Sequence, residues 1–146
     1  MISIIEVSST EELKIAFEIR KKVFVEEQNV PLEEEYDEFE DKCLHILAFL
    51  KEIPVGTARM RITPKGIKLE RFCVLKEYRG LGVGRSLVKK LLTACNIELE
   101  TQVYLYAQLS AEKFYAKLGF EAIGDTFLDA GIGHIEMQYK EKSIAK

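Results

Sequence analysis

The sequence predicts an α+β (mixed α/β) domain, a mostly antiparallel sheet with one βαβ crossover and flanking helices. Three observations predict it. Strand-like and helix-like stretches follow in the order β-α-β-β-β-α-β-α-β-β along the chain. Hairpin breaks at Lys51-Glu52-Ile53-Pro54 and Pro64-Lys65-Gly66 separate three successive strand segments. A strand, a glycine-rich loop, an amphipathic repeat and a further strand then succeed one another between Ile67 and Ala107, the spacing of a crossover between parallel neighbours.

Taken in order, Ile2 to Val7 alternates as a first strand. Ser9-Thr10-Glu11-Glu12 offers a capping box to a helix carrying Leu13, Ala16, Phe17, Ile19, Val23 and Phe24, which ends before Pro31. The strands Leu44 to Leu50, Val55 to Ile62 and Ile67 to Leu75 come next. Leu87, Val88, Leu91, Leu92 and Cys95 recur at helical spacing from Ser86. Gln102 to Ala107 is a strand, Ser110 to Leu118 a short helix, and Phe120 to Phe127 with His134 to Tyr139 a closing hairpin.

The 146 residues fit a single domain, residues 1 to 146, large enough to bury a core without staples. Met1-Ile2-Ser3-Ile4-Ile5-Glu6 has no basic n-region, and no apolar run approaches the ~20 residues of a membrane span. Three cysteines without paired spacing argue for reduced thiols and against a zinc site, so the expected compartment is the cytoplasm. A net charge of −3 without a basic stripe argues against nucleic acid. That charge is sharply divided: the sixteen residues from Glu26 to Asp41 hold nine acids and no Lys or Arg. Two readings stand: a solvated acidic stretch, or a lip in which Glu27, Glu35 or Asp37 draws a cationic amine.

Tyr78-Arg79-Gly80-Leu81-Gly82-Val83-Gly84-Arg85 sits at the strand-to-helix junction and reads as an anion cradle. Alternating glycines let successive N–H groups point at one ligand, and the positive end of the following helix adds to them. A phosphate or pyrophosphate is the expected guest. The dinucleotide fingerprint fails in both registers, because Arg85 or Leu87 stands where its third glycine belongs; a Walker loop fails for want of a glycine at position 79.

What remains, Arg79-x-x-Gly82-x-Gly84, resembles the acyl-CoA pyrophosphate loop of the GNAT superfamily of N-acetyltransferases. The element order is that of the GNAT fold, and Phe114-Tyr115-x-Lys117-x-Gly119-Phe120 looks like that superfamily's C-terminal motif. Arg20 to Gln28, Pro31, Asp37, His45, Leu69 to Val74, Ala107-Gln108 and Asp129 to His134 resemble the ElaA/YjcF-like branch of small bacterial members. Tyr106 departs from the asparagine common there.

The resemblance implies an acetyl-CoA-dependent N-acetyltransferase acting on a primary amine of a small molecule or peptide, as monomer or homodimer and without a metal. The alternative is a non-catalytic acyl-CoA-binding module. It implies that strands splay beside the crossover, with main chain of Phe72, Cys73 and Val74 holding the pantetheine arm. Arg79, Gly80, Leu81, Gly82, Val83, Gly84 and Arg85 would hold the pyrophosphate, and Gln108 also falls on the cofactor side. Tyr115 is the expected general acid: a phenol of ordinary pKa about 10 is protonated at neutral pH and can protonate a thiolate whose acid lies near ~8.5. Its other reading is a packed helix tyrosine. Glu70 is the candidate base, or else a carboxylate paired with Arg59 or Arg71. His45 and His134 are structural hydrogen bonders or substrate contacts and proton relays.

Overall fold

The computed structural model describes residues 1–95 and 101–140. Its seven strands form one sheet: β1 (Ile2–Glu6), β2 (Leu44–Leu50), β3 (Ile53–Thr63), β4 (Gly66–Val74), β5 (Val103–Gln108), β6 (Phe120–Asp129) and β7 (Ile132–Tyr139). The order across the sheet is β1-β2-β3-β4-β5-β7-β6. The β4–β5 pair is parallel and the others are antiparallel. The expected crossover is therefore present, made by α3 (Val83–Ala94) between β4 and β5.

The period-2 alternation of the central strands divides the core between two faces. Ile46 and Ala48 on β2 join Val55, Leu69 and Leu105 under Leu87, Val88 and Leu91 of α3. Leu47, between them, points to the opposite face, where it meets Ala16 and Ile19 of α1 (Thr10–Arg20). Each of these helices thus buries one apolar stripe against the sheet. Ser9 caps α1 as expected, its hydroxyl accepting from the Glu12 N–H at 3.1 Å.

Three local differences from the sequence reading have physical causes. The first helix does not continue as α: from Lys21 to Glu27 it widens to a π-helix, closed by a Gln28 N–H to Val23 C=O bond of 3.0 Å, so Val23 and Phe24 stay buried beyond the buried Arg20. The hairpin turn lies at Lys51-Glu52, both with positive φ, and Pro54 falls inside β3 at a register shift opposite Phe49. The helix after the glycine loop starts at Val83 rather than Ser86, because Gly82, at φ +90°, serves as its N-cap. Two short helices complete the chain, α2 (Leu32–Glu35) and α4 (Glu112–Ala116).

Candidate active site

β4 and β5 pair only from Ile67–Leu69 to Val103–Leu105 and then part. The cause is a bulge in β4. Its register with β3 jumps from Arg59↔Glu70 to Thr57↔Cys73, so Arg71 and Phe72 lie opposite one residue, Ala58, and Arg71 takes a left-handed φ of +59°. β5 stays with β7 through Gln108 and does not follow. The opening is a cleft of about 590 Å³, lined by Phe72, Val74, Gly82, Tyr106, Gln108 and Tyr115 among others.

The main chain of β4 supplies donors to this opening. Leu75 N–H bonds Val55 C=O on β3 at 2.8 Å, so by strand alternation Cys73 also turns to β3 while the polar groups of Val74 face the cleft. Val74 C=O accepts there from Arg79 Nε at 2.9 Å. Of the three residues grouped on β4 from sequence, Cys73 is thus committed to the sheet. Its side chain is buried in the core under α1.

At one end of the cleft the glycine loop meets α3. Gly80 and Gly82 have φ of +81° and +90°, and the first intrahelical bond runs from Ser86 N–H to Gly82 C=O at 3.1 Å. The N–H groups of Val83, Gly84 and Arg85 therefore lack helical partners, and no capping side chain or acid stands in the first turn. Gly84 packs closely: a Cβ would come 3.3 Å from the Phe114 ring, which would have to give way slightly. Arg85 is exposed on the cleft wall, whereas Arg79 forks onto both oxygens of Glu27 at 2.7 Å. Arg79 also lines the cleft, so its charge is shared with Glu27 beside the cradle, and Glu27, contrary to the sequence reading, holds an arginine in place of an amine.

Tyr115 sits at the cleft floor, 8 % exposed, its ring 5.8 Å from Phe72, 5.0 Å from Phe114 and 5.9 Å from Phe120. Its hydroxyl makes no hydrogen bond among the described residues. Burial, with the neighbouring Cys73 thiol, pushes the phenol well above its ordinary value, so it stays a proton donor.

The acidic stretch folds inward. Arg20, 1 % exposed, donates from Nε to Glu35 at 2.6 Å and from Nη1 and Nη2 to Glu40 at 2.9 and 2.7 Å. Arg59, fully buried, forks onto Asp37 at 3.0 and 2.7 Å and reaches Glu40 at 2.8 Å. Glu35 and Asp37 are therefore not a free acidic lip; their charges are met by arginines from α1 and β3. Burial raises the Asp37 pKa, but the Arg59 fork outweighs it and holds the carboxyl down at about 2. A depressed carboxyl contributes stability above its unfolded pKa and loses it as pH falls through the folded value. Asp37→Asn should accordingly cost about 2 kcal/mol in urea unfolding at pH 7. The difference from the parent should shrink between about pH 4 and pH 2.

Glu70 is similarly engaged, by Arg61 Nε at 2.7 Å, Arg59 at 3.2 Å and Lys68 Nζ at 3.3 Å. Burial alone would raise its pKa; Arg59, Lys68 and Arg61 together reverse the sign and lower it. A carboxylate so stabilised is a weaker proton acceptor, and its three cationic partners favour the paired reading of Glu70 over that of base. His45 is buried with Nε2 on Glu40 C=O at 2.9 Å, away from the cleft lining, and holds the acidic segment. His134 differs. Its Nδ1 lies 2.7 Å from Ile132 C=O and must donate, so a neutral ring presents a lone pair on Nε2, and the residue lines the cleft. Gln108 reaches across the opening, donating to Gln28 Oε1 at 2.8 Å. Tyr106 packs on Phe127 at 5.1 Å, and that ring stacks on His134 at 5.9 Å.

Sequence reasoning missed the inward role of Arg20 and Arg71. The available signal was an arginine inside each apolar pattern together with an acidic segment lacking any base of its own.

Among the described residues no group of His, Cys, Asp and Glu could hold a metal, and no helix is long and apolar enough to cross a membrane. Residues 6–141 match the family model described as an acetyltransferase (GNAT) domain. The chain is 46% identical over 128 residues to YjcF of Bacillus subtilis, an uncharacterised N-acetyltransferase, covering 87% of this chain and 91% of that protein. It is 31% identical over 134 residues to ElaA of Escherichia coli, with 88% of each covered. The ElaA crystal structure superposes with a TM-score of 0.81 at 27% identity, over 96% of this chain and all of ElaA. An acyl-CoA N-acyltransferase from Pseudomonas aeruginosa gives 0.77 at 26% identity, covering 96% and 99%. With its sheet order, its splayed β4 and β5 and its glycine-capped helix, the chain belongs to the GNAT family of acetyltransferases.

Proposed function

We propose that this protein transfers an acetyl group from acetyl-CoA to a primary amine of a small molecule or peptide. The observation that carries the reading is the splay: Val74 main chain faces an opening that has the free N–H groups of α3 at one end and the Tyr115 phenol at its floor. The likeness to an acyl-CoA N-acyltransferase supports the donor class.

In this reading the N–H groups of Val83, Gly84 and Arg85, with the Arg85 guanidinium, hold the pyrophosphate. Val74 N–H polarises the thioester carbonyl and stabilises the charge that gathers on its oxygen during attack. His134 Nε2 accepts the amine proton, directly or through one water, and the Ile132 carbonyl keeps the ring in the required tautomer. As the C–S bond breaks, Tyr115 hands its proton to the thiolate. Glu70 contributes by anchoring Lys68 on the cleft wall.

Thiol release from acetyl-CoA with a panel of amines tests the reading. Amine-dependent release with stoichiometric N-acetyl product supports it; tight acetyl-CoA binding with release at the amine-free background for every amine would mean a non-catalytic acyl-CoA-binding module. The base assignment has its own test. His134→Gln removes the Nε2 lone pair while keeping a donor for Ile132 C=O, and should lower kcat by about 10²-fold. An unchanged kcat would assign deprotonation to bulk water.

A further inference from the structure

Arg71 is held unlike the other arginines of the inner ion cluster. Arg20 and Arg59 bind Glu35, Glu40 and Asp37 at 2.6 to 3.0 Å, and Arg59 also reaches Glu70 at 3.2 Å. Arg71 makes only long contacts: Nη2 to Glu35 C=O at 3.2 Å and to Asp37 at 3.4 Å, and Nε to Glu35 at 3.5 Å. Its Nε, like that of Arg59, is buried without a hydrogen bond, which costs about 1–3 kcal/mol if left so. Nη1 makes no hydrogen bond or ion pair among the described residues. The residue also carries the left-handed φ of the bulge, a strained geometry for a long side chain, and that geometry sends the guanidinium to the cleft wall.

The charges around it leave a surplus. Glu35, Asp37, Glu40 and Glu70 are met by Arg20, Arg59, Arg61, Lys68 and Arg71, four carboxylates against five cations. Arg71, at 23 % side-chain exposure, is the loosest of the three arginines that meet the acidic segment. The carboxylates on the cleft without an ion pair, Glu34 and Asp129, stand exposed at its rim, where solvent and salt screen them. A polycation would find little to bind deeper in; an anion would find the Arg71 guanidinium, held only by long contacts that a carboxylate could replace. We infer that the acceptor is an amine carrying a carboxylate, and that Arg71 is the residue that selects it. The inference rests on the acetyl-transfer reading and adds the acceptor's chemistry to it.

The geometry fits a short molecule. Arg71 precedes Val74 by three positions, about 10 Å of strand, and both residues line the cleft. An amino acid bound by its carboxylate at Arg71 would thus lie in the same cleft as the Val74 main chain. Planar bidentate pairing favours Arg over Lys for this task.

The test compares matched probes in two independent measurements. Calorimetry on the protein saturated with CoA reads binding of β-alanine against its amide, and of lysine against lysinamide and cadaverine; acetyl-CoA turnover reads the same probes. Glycyl-lysine, tested beside lysine, separates a peptide C-terminus from a free amino acid as the source of the carboxylate. The carboxylate member of each pair should bind about tenfold or more tightly than its partner. In Arg71→Gln the ratio between partners should fall toward one, and in Arg71→Lys, which keeps the charge and loses the fork, it should fall part way. Binding selectivity without turnover would keep Arg71 as a carboxylate-selecting residue and remove the acetyl-transfer reading, the acceptor role with it. Equal or tighter binding of the amides or of cadaverine by the parent overturns the assignment, whatever the turnover. So does an unchanged ratio in a folded Arg71→Gln.

Discussion

Gly82→Val should weaken acetyl-CoA binding by at least about 10²-fold, read by calorimetry, while the protein remains folded. Space is not the reason: a Cβ at Gly82 meets nothing nearer than Ile2 Cδ1 at 4.0 Å. Conformation is. Gly82 caps α3 at φ +90°, a region closed to a β-branched residue except at a cost of about 1–3 kcal/mol. The loop relieves that strain by moving φ negative, and the N–H groups of Val83, Gly84 and Arg85 then lose their common aim. Strain and lost donors act together on binding, because the loop is exposed and little core depends on it. Affinity in the parent should also fall with added salt, since Arg85 and the helix end act through charge. Binding as tight as the parent's would refute the cradle.

Tyr115→Phe should lower kcat by about 10²-fold or more with little change in the KM for acetyl-CoA. The substitution removes one oxygen that has no hydrogen-bond partner among the described residues and keeps the ring contacts with Phe72, Phe114 and Phe120. Packing therefore survives, and a purely structural tyrosine would show no loss. The pH dependence sharpens the test. A raised phenol pKa means the donor persists beyond its ordinary value near 10, so Tyr115 should impose no alkaline fall on the parent's rate up to about pH 9. A fall there belongs to another group and should survive in the Phe variant. Full kcat in Tyr115→Phe would make the phenol structural and leave water or His134 to protonate the thiolate.

Most of the fold was legible because local signals agreed with it. The hairpin breaks, the Ser9 cap and the strand-loop-helix unit are short-range, and each reappears close to its expected bounds. The glycine loop was legible for the same reason: Gly80 and Gly82 need their φ values, and both are set within a few residues. Long-range pairing was not. Nine acids within sixteen residues read as a surface feature, and nothing local says that Glu35 meets Arg20 fifteen residues before it or that Asp37 meets Arg59 on β3. Glu70 looked like a base because its strand position suited one, whereas Arg61 and Lys68 two residues away in space or sequence determine its chemistry. The role of His134 depends on a bond to a carbonyl two residues earlier, which only the turn into β7 creates. The bulge at Arg71 leaves no mark in composition, yet it opens the cleft.

The central claim is that acetyl-CoA lies across the splay of β4 and β5, and a crystal structure with acetyl-CoA bound tests it most directly. The account predicts the pyrophosphate on the N–H groups of Val83, Gly84 and Arg85, the thioester oxygen at about 3 Å from Val74 N–H, and the sulfur within hydrogen-bond reach of the Tyr115 hydroxyl. A cofactor seated elsewhere, or one whose thioester points away from both Val74 and Tyr115, would contradict it.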